Sequence, residues 1–294
     1  IMNGGKDFSP WSKKDDLLYS TIRIPVEAIL GKDGVGLPDC AIAESKFEKG
    51  ENISGRMLNL ISRMSEIRQK GTPDLEFAIN GLLARSQLAS GQSKDARRTI
   101  QSLRDQFAER GLTRFLPNMD AVLCRIDLHT GDLDSADEWY RGKAPRDPMH
   151  LNVMKRYQYF TQAMVEIADG KPDAALMTLS PLEPYIKSCA RNIDGIHLNV
   201  LIAIILYGKK DPAWKQRLTD ALHAAEEYRF IRTISIYGTA VLPLLDALEW
   251  TGNEKWYKCL MADVRAQAAY YPRFLQTRLA PNDTLTPTEL QILH

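Results

Sequence analysis

The chain lacks the cysteine spacing that would hold a metal or a disulfide framework. Its four cysteines, Cys40, Cys124, Cys189 and Cys259, are far apart and form no C-x-x-C pair. Excess charge is missing too: 38 basic against 37 acidic side chains leave +1 over 294 residues, a balance that supplies no electrostatic footprint for nucleic acid. Long apolar runs are absent. Val200 to Tyr207, the longest, falls well short of the ~20 residues that span a bilayer, and no basic-then-apolar signal peptide opens the chain. No membrane partner is expected, and the cytoplasm is the default location.

Catalytic motifs are equally scarce. There is no G-x-x-x-x-G-K-[ST] phosphate loop, no H-E-x-x-H, no G-x-S-x-G elbow and no dinucleotide fingerprint. The stretch Gly31 to Gly36, GKDGVG, is followed by no Lys-Ser/Thr and reads as a plain loop. Five histidines, His129, His150, His197, His223 and His294, are too dispersed to suggest a metal site. Neither an enzyme nor a cofactor is indicated.

What the chain does have is a repeat. Glycines followed five positions later by a small or packing residue recur as Gly50/Gly55, Gly91/Ala96, Gly131/Ala136, Gly170/Ala175, Gly208/Ala213 and, more loosely, Gly252/Tyr257. The glycines stand 41, 40, 39, 38 and 44 residues apart. A period in this range marks two-helix units that bury their apolar faces only by stacking, which predicts an all-α superhelical array of about six hairpins, an α-solenoid.

Helix faces agree with the period. Ten, seven and three residues before each glycine stand Cys40/Ala43/Phe47, Gly81/Ala84/Leu88, Ala121/Cys124/Leu128, Phe160/Ala163/Ile167 and Leu198/Leu201/Ile205, each trio on one helix face. On such a face Cys40 and Cys124 act as small apolar groups. The second helices repeat five, nine and twelve residues after the glycine, as in Ala96/Ile100/Leu103 and Ala175/Leu179/Leu182.

Boundaries follow the same ruler. Ser9-Pro10-Trp11 reads as the start of a helix running to about Leu30, and residues 1–36 as a capping helix with its loop. Residues 37–271 hold the repeats, and 272–294 a linker and a new helix start. Thr72-Pro73 opens one unit, Gly111 closes its second helix, and Gly142, Pro145 and Pro148 end a shortened one. The sixth unit is irregular, with Pro243 inside its first helix and Glu249 on the apolar stripe.

The small residue of helix one, the turn glycine and the small residue of helix two, as in Ala84/Gly91/Ala96 and Ala163/Gly170/Ala175, resemble the tetratricopeptide repeat. The period is longer than the usual ~34 residues and closer to HEAT-like lengths. These are read as tetratricopeptide-like (TPR-like) hairpins with longer helices.

Stacked hairpins create a concave groove lined by their first helices. The row six residues before each glycine reads Glu44, Arg85, Arg125 and Met164, and that thirteen before reads Ala78, Asn118 and Tyr157. Arg85 and Arg125 share a phase in consecutive units, so two guanidinium forks with Asn118, Tyr157 and His129 nearby form a candidate site for an acidic or hydroxyl-rich ligand. That these arginines are solvated or paired within the chain stays open. The aromatics Tyr228 to Tyr237, Trp250, Trp256, Tyr257, Tyr270 and Tyr271 read as core, with a partner or self-association surface as the alternative.

Leu285 to Leu293, LTPTELQIL, has Thr286 as N-cap, Pro287 at the first helical position and Glu289 closing a capping box. Leu285, Thr286, Glu289, Leu290, Ile292 and Leu293 resemble the opening of the LuxR-type helix-turn-helix. The preceding RFIRTISIYGTAVLPLLDAL, Arg229 to Leu248, resembles the corresponding stretch of MalT-like LuxR-family regulators. In that bacterial family an ATP-binding module, a tetratricopeptide-like sensor and a C-terminal DNA reader share one chain. The resemblance implies that this chain is the sensor, an excised middle segment that binds a small-molecule effector or a protein partner and contacts DNA only through a reader it lacks. A peptide-binding adaptor is the alternative function.

Overall fold

The protein, described by a computed structural model over residues 14–146 and 151–276, is an all-α array of stacked hairpins, with no strand among the described residues. The expected helix starts at Ser9-Pro10-Trp11 and at LTPTELQIL lie outside those residues, as do Pro148, His150 and His294.

Helix α1 (Asp15–Leu30) lies on α2 (Leu37–Glu48), the first helix of the first unit, whose second half is α3 (Ser54–Ser62) and α4 (Met64–Lys70). Next come α5 (Pro73–Ala89) with α6 (Ser93–Glu109), and α7 (Leu116–Thr130) with α8 (Leu133–Lys143). The fourth unit pairs α9 (Arg156–Ala168) with α10 (Pro172–Leu179) and α11 (Leu182–Ser188). In the fifth, α12 (Asn192–Gly208) meets α13 (Trp214–Tyr228). In the sixth, a broken first helix, α14 (Arg232–Ser235) and α15 (Gly238–Asp246), packs on α16 (Glu254–Tyr270). Each hairpin also packs on the next, through α2 on α5, α6 on α7, α7 on α9 and α10 on α12.

The turns show why glycine punctuates the chain. Gly50, Gly91, Gly131 and Gly170 have φ of +75°, +78°, +76° and +70°, a left-handed conformation that glycine adopts without steric cost. In each case the next amide reaches back five residues, as Gln92 does to the Gln87 carbonyl at 2.9 Å and Asp132 to that of Asp127 at 2.9 Å. That bond closes a Schellman motif and satisfies a helix-end carbonyl. The predicted stripes are buried, except that Gly81 is half-buried.

The fifth unit departs from the ruler. Its left-handed residue is Lys210, φ +58°, and Asp211 N–H closes the motif on the Leu206 carbonyl at 2.9 Å, while Gly208 is still helical. Ala213 is exposed, and Trp214 packs in its place. Measured from Lys210, the period from Gly170 becomes 40 residues and Ala203 takes the small position that Leu201 had been assigned. In the first unit Gly55 is exposed as well, and Ile53, Met57 and Leu60 form the packed face. Neither Gly208 nor Gly252 is left-handed, so the ruler's glycine ends with Gly170.

Helix α1 caps the array through a buried carboxylate. Ser45 Oγ and Lys49 Nζ donate to Asp15 at 2.9 and 2.6 Å. Burial alone would raise this carboxyl, and these bonds outweigh burial and hold it below its ordinary range. At the other end Phe274 and Leu275 belong to the core, so the packed body runs past Tyr271, where a linker had been expected to begin. There the chain turns back on the array: Ile231 N–H donates to the Glu48 carbonyl at 2.6 Å, which brings the sixth unit onto the first.

Candidate ligand-binding row on the concave face

Stacking sets equivalent residues of successive first helices side by side, and the arginine row is where the structure makes this visible. Arg85, in the middle of α5, crosses to the preceding unit. It donates to Glu44 Oε1 at 3.2 Å and pairs with Glu48, and its guanidinium lies 4.8 Å above the Phe47 ring. Glu48 is fully buried. Burial pushes its carboxyl up and Arg85 opposes that rise, so this ion pair is a structural commitment of the fold.

Arg125 crosses in the other direction. Its Nε donates to Thr161 Oγ1 at 2.8 Å and its Nη2 to the Tyr157 carbonyl at 3.1 Å, with the guanidinium 3.6 Å from the Tyr157 ring centroid. Tyr157 and Thr161 are one turn apart on α9, so a single helix face holds the arginine. Arg125 and Tyr157 are both half-buried, and the Tyr157 hydroxyl has no hydrogen-bond partner among the described residues. A guanidinium fork beside a free phenol is suited to an oxygen-rich ligand.

Two other candidates are turned inward. His129, one turn beyond Arg125 on α7, is buried, with Nδ1 2.7 Å from the Arg125 carbonyl and Nε2 3.3 Å from that of Ile236. Its ring stacks on Phe274, centroids 3.9 Å apart, and meets the Tyr271 ring edge-on. Burial pushes its pKa down to about 4, against the two carbonyls, which favour the charged form. Asn118 is buried near the other end of α7 and accepts from Gln158 Nε2 at 3.0 Å, so it braces α7 against α9.

The shifted fifth turn reveals a residue that the sequence reading missed. Counted from Lys210, the position thirteen residues back is His197, which continues the row of Ala78, Asn118 and Tyr157. Its Nδ1 lies 3.0 Å from the fully buried Tyr237 hydroxyl. Burial first, then the positive field of Arg125 and Arg85, pushes the imidazole down to about 3. That field places both arginines within electrostatic reach of one imidazole. His197 thus stands in the field of Arg85 and Arg125, and Tyr237 of the sixth unit, bonded to it, stands in the field of Arg125.

The two buried thiols of the array are held in the protonated form. Cys40 is buried and its thiol is pushed up, and burial takes that of Cys124 up to about 12, so neither supplies a thiolate. Among the described residues no group of three His, Cys, Asp or Glu side chains could hold a metal ion, and no helix is long and apolar enough to cross a membrane.

A family model for the MalT-like TPR region matches residues 59–250, which is most of the array. The chain belongs to that family. A search of curated proteins finds no match.

Proposed function

We propose that this member of the MalT-like TPR region family is the effector-sensing segment of a LuxR-family transcription regulator. It takes a small molecule on the inner row and thereby controls DNA binding by a C-terminal helix-turn-helix. The observation that carries the reading is the coincidence of the family's repeat region with a row in which Arg125 is held by Tyr157 and its field reaches His197. The LTPTELQIL stretch supports the link to a DNA reader. The return of the chain's own sixth unit onto the first and third units, through Glu48 and His129, favours a small ligand over an extended peptide. Four unpaired cysteines suit a reducing, cytoplasmic setting.

Signalling requires that the effector prefer one conformation, since equal affinity for two states shifts neither. Arg125 and Tyr157 would hold carboxylate or hydroxyl oxygens, with Arg85 supplying field from behind its own ion pairs. A thermal-shift screen of the chain against sugars, organic acids and peptides tests this. The reading expects a saturable rise with a sugar or an acid, reduced in Arg125→Gln. Stabilisation by peptides alone would transfer the assignment to a peptide-binding adaptor. With a net charge of only +1, the chain alone is expected not to shift promoter DNA.

A further inference from the structure

Two of the repeat turns also receive the returning chain. A Cβ at Gly91 would stand 3.0 Å from Tyr270 Cδ1, and one at Gly131 3.0 Å from Arg273 Cβ, so the end of α16 and the segment that follows it cross the two turns at a separation that a larger residue would obstruct. Side chains tie the crossing down. Gln267 Nε2 donates to the Ala89 carbonyl and Tyr271 Oη to the Leu88 carbonyl, both at 2.7 Å, which satisfies acceptors at the C-terminal end of α5. Beyond them Phe274, 1% exposed, lies flat on His129.

This segment is not a helix of the stack. Helix α16 packs within its own hairpin, on α14 and α15, touches the second unit at its end through Gln267 and Tyr270, and its continuation goes on to Leu88 and to the third unit. A short non-helical segment has no helical hydrogen-bond ladder of its own and opens at lower cost than the helices it rests on. The segment rests on the immediate neighbours of the proposed ligand row. His129 is one turn from Arg125, and Phe274 reaches on to the Tyr237 ring, 6.5 Å away, which faces His197.

We infer that residues 270–275 form a lid, docked on the glycine turns of the second and third units, which opens without unfolding the array and governs access to Arg125 and Tyr157. Its role as a gate rests on the proposed ligand row. The lid itself is defined without any ligand, so a silent ligand screen leaves the following readouts standing.

The test is hydrogen–deuterium exchange of the full chain combined with phenylglyoxal modification of arginine, both read by peptide mass spectrometry. In Phe274→Ala the amides of residues 264–276 should exchange at least about tenfold faster while those of α7 and α9 keep their protection, as expected of a local opening. Arg125 modification should accelerate with them. Tyr271→Phe, which removes one hydroxyl and leaves the ring, should give the same pattern more weakly. The inference is overturned if the segment keeps its protection in both variants, if α7 and α9 lose theirs together with it, or if the lid opens and Arg125 reacts no faster.

Discussion

Replacing two glycines by alanine separates the two demands the fold makes on its turns. Gly111, at the end of α6, has φ +69° and open space where a Cβ would go. Gly111→Ala therefore meets only the left-handed backbone penalty of ~1–2 kcal/mol, partly offset by a stiffer unfolded chain worth ~0.4–1 kcal/mol, which leaves a net loss near 1 kcal/mol. Gly131→Ala carries the same penalty at φ +76° and in addition drives its methyl to 3.0 Å from both Cβ and Cδ of Arg273. Because Cβ is fixed to the backbone, the segment carrying Arg273 must shift or lift. Overpacking of this kind costs ~1–3 kcal/mol. Lifting that segment sacrifices burial of Tyr271, Phe274 and Leu275, each of them worth ~1.5–3 kcal/mol, so a local shift is the cheaper response. Urea unfolding followed by circular dichroism should then place Gly131→Ala roughly 1–3 kcal/mol below Gly111→Ala. Equal destabilisation of the two, within about 0.5 kcal/mol, would refute the claim that the third turn is a docking surface.

The other expectations concern charge, pH and thiols. Lys210→Gly relieves a left-handed lysine and should stabilise by up to ~1 kcal/mol in the same assay; a loss would contradict the assignment of the fifth turn. Arg85→Ala leaves Glu48 buried without its guanidinium and should cost ~3 kcal/mol at neutral pH, and less in acid, where Glu48 protonates readily; a constant deficit from pH 7 to pH 5 would count against it. His129 and His197 stay neutral in the fold down to about pH 4 and about pH 3. The unfolded chain takes up protons first, near pH ~6.5, so stability is full above that pH and falls as the pH drops through 5 toward 4. The double variant His129→Gln with His197→Gln should flatten the slope, and an unchanged slope would show that other groups set it. A thiol reagent should label exposed Cys259 quickly and half-buried Cys189 more slowly, while Cys40 and Cys124 react only on unfolding; four equal rates would contradict the packing.

What could be read from the chain was what local physics enforces. Gly50, Gly91, Gly131 and Gly170 were visible because a left-handed helix end selects glycine wherever it occurs. The phase shared by Arg85 and Arg125, and the position of Glu44 one unit earlier, followed from the period alone. The fifth turn was hidden for two reasons. Lysine is not a turn signal, and α12 is apolar on all sides, so NVLIAIILY fits the stripe in more than one phase. The two-residue slip then concealed His197. The lid was out of reach, since Gln267 and Tyr271 meet α5 across 178 and 183 residues of chain and no periodicity links them. Aromatics expected to be core largely are so, with Tyr237 and Phe230 fully buried, whereas Tyr270 remains half exposed at the crossing.

The central claim, that the inner row receives an effector, is tested most directly by calorimetric titration of the chain with the compound that raises its melting temperature most, repeated on Arg125→Gln. Saturable binding near one molecule per chain is expected, weakened at least ~10-fold by the substitution through the loss of a charge-assisted hydrogen bond. Undiminished affinity in Arg125→Gln, or no saturable small-molecule binding at all, would contradict it.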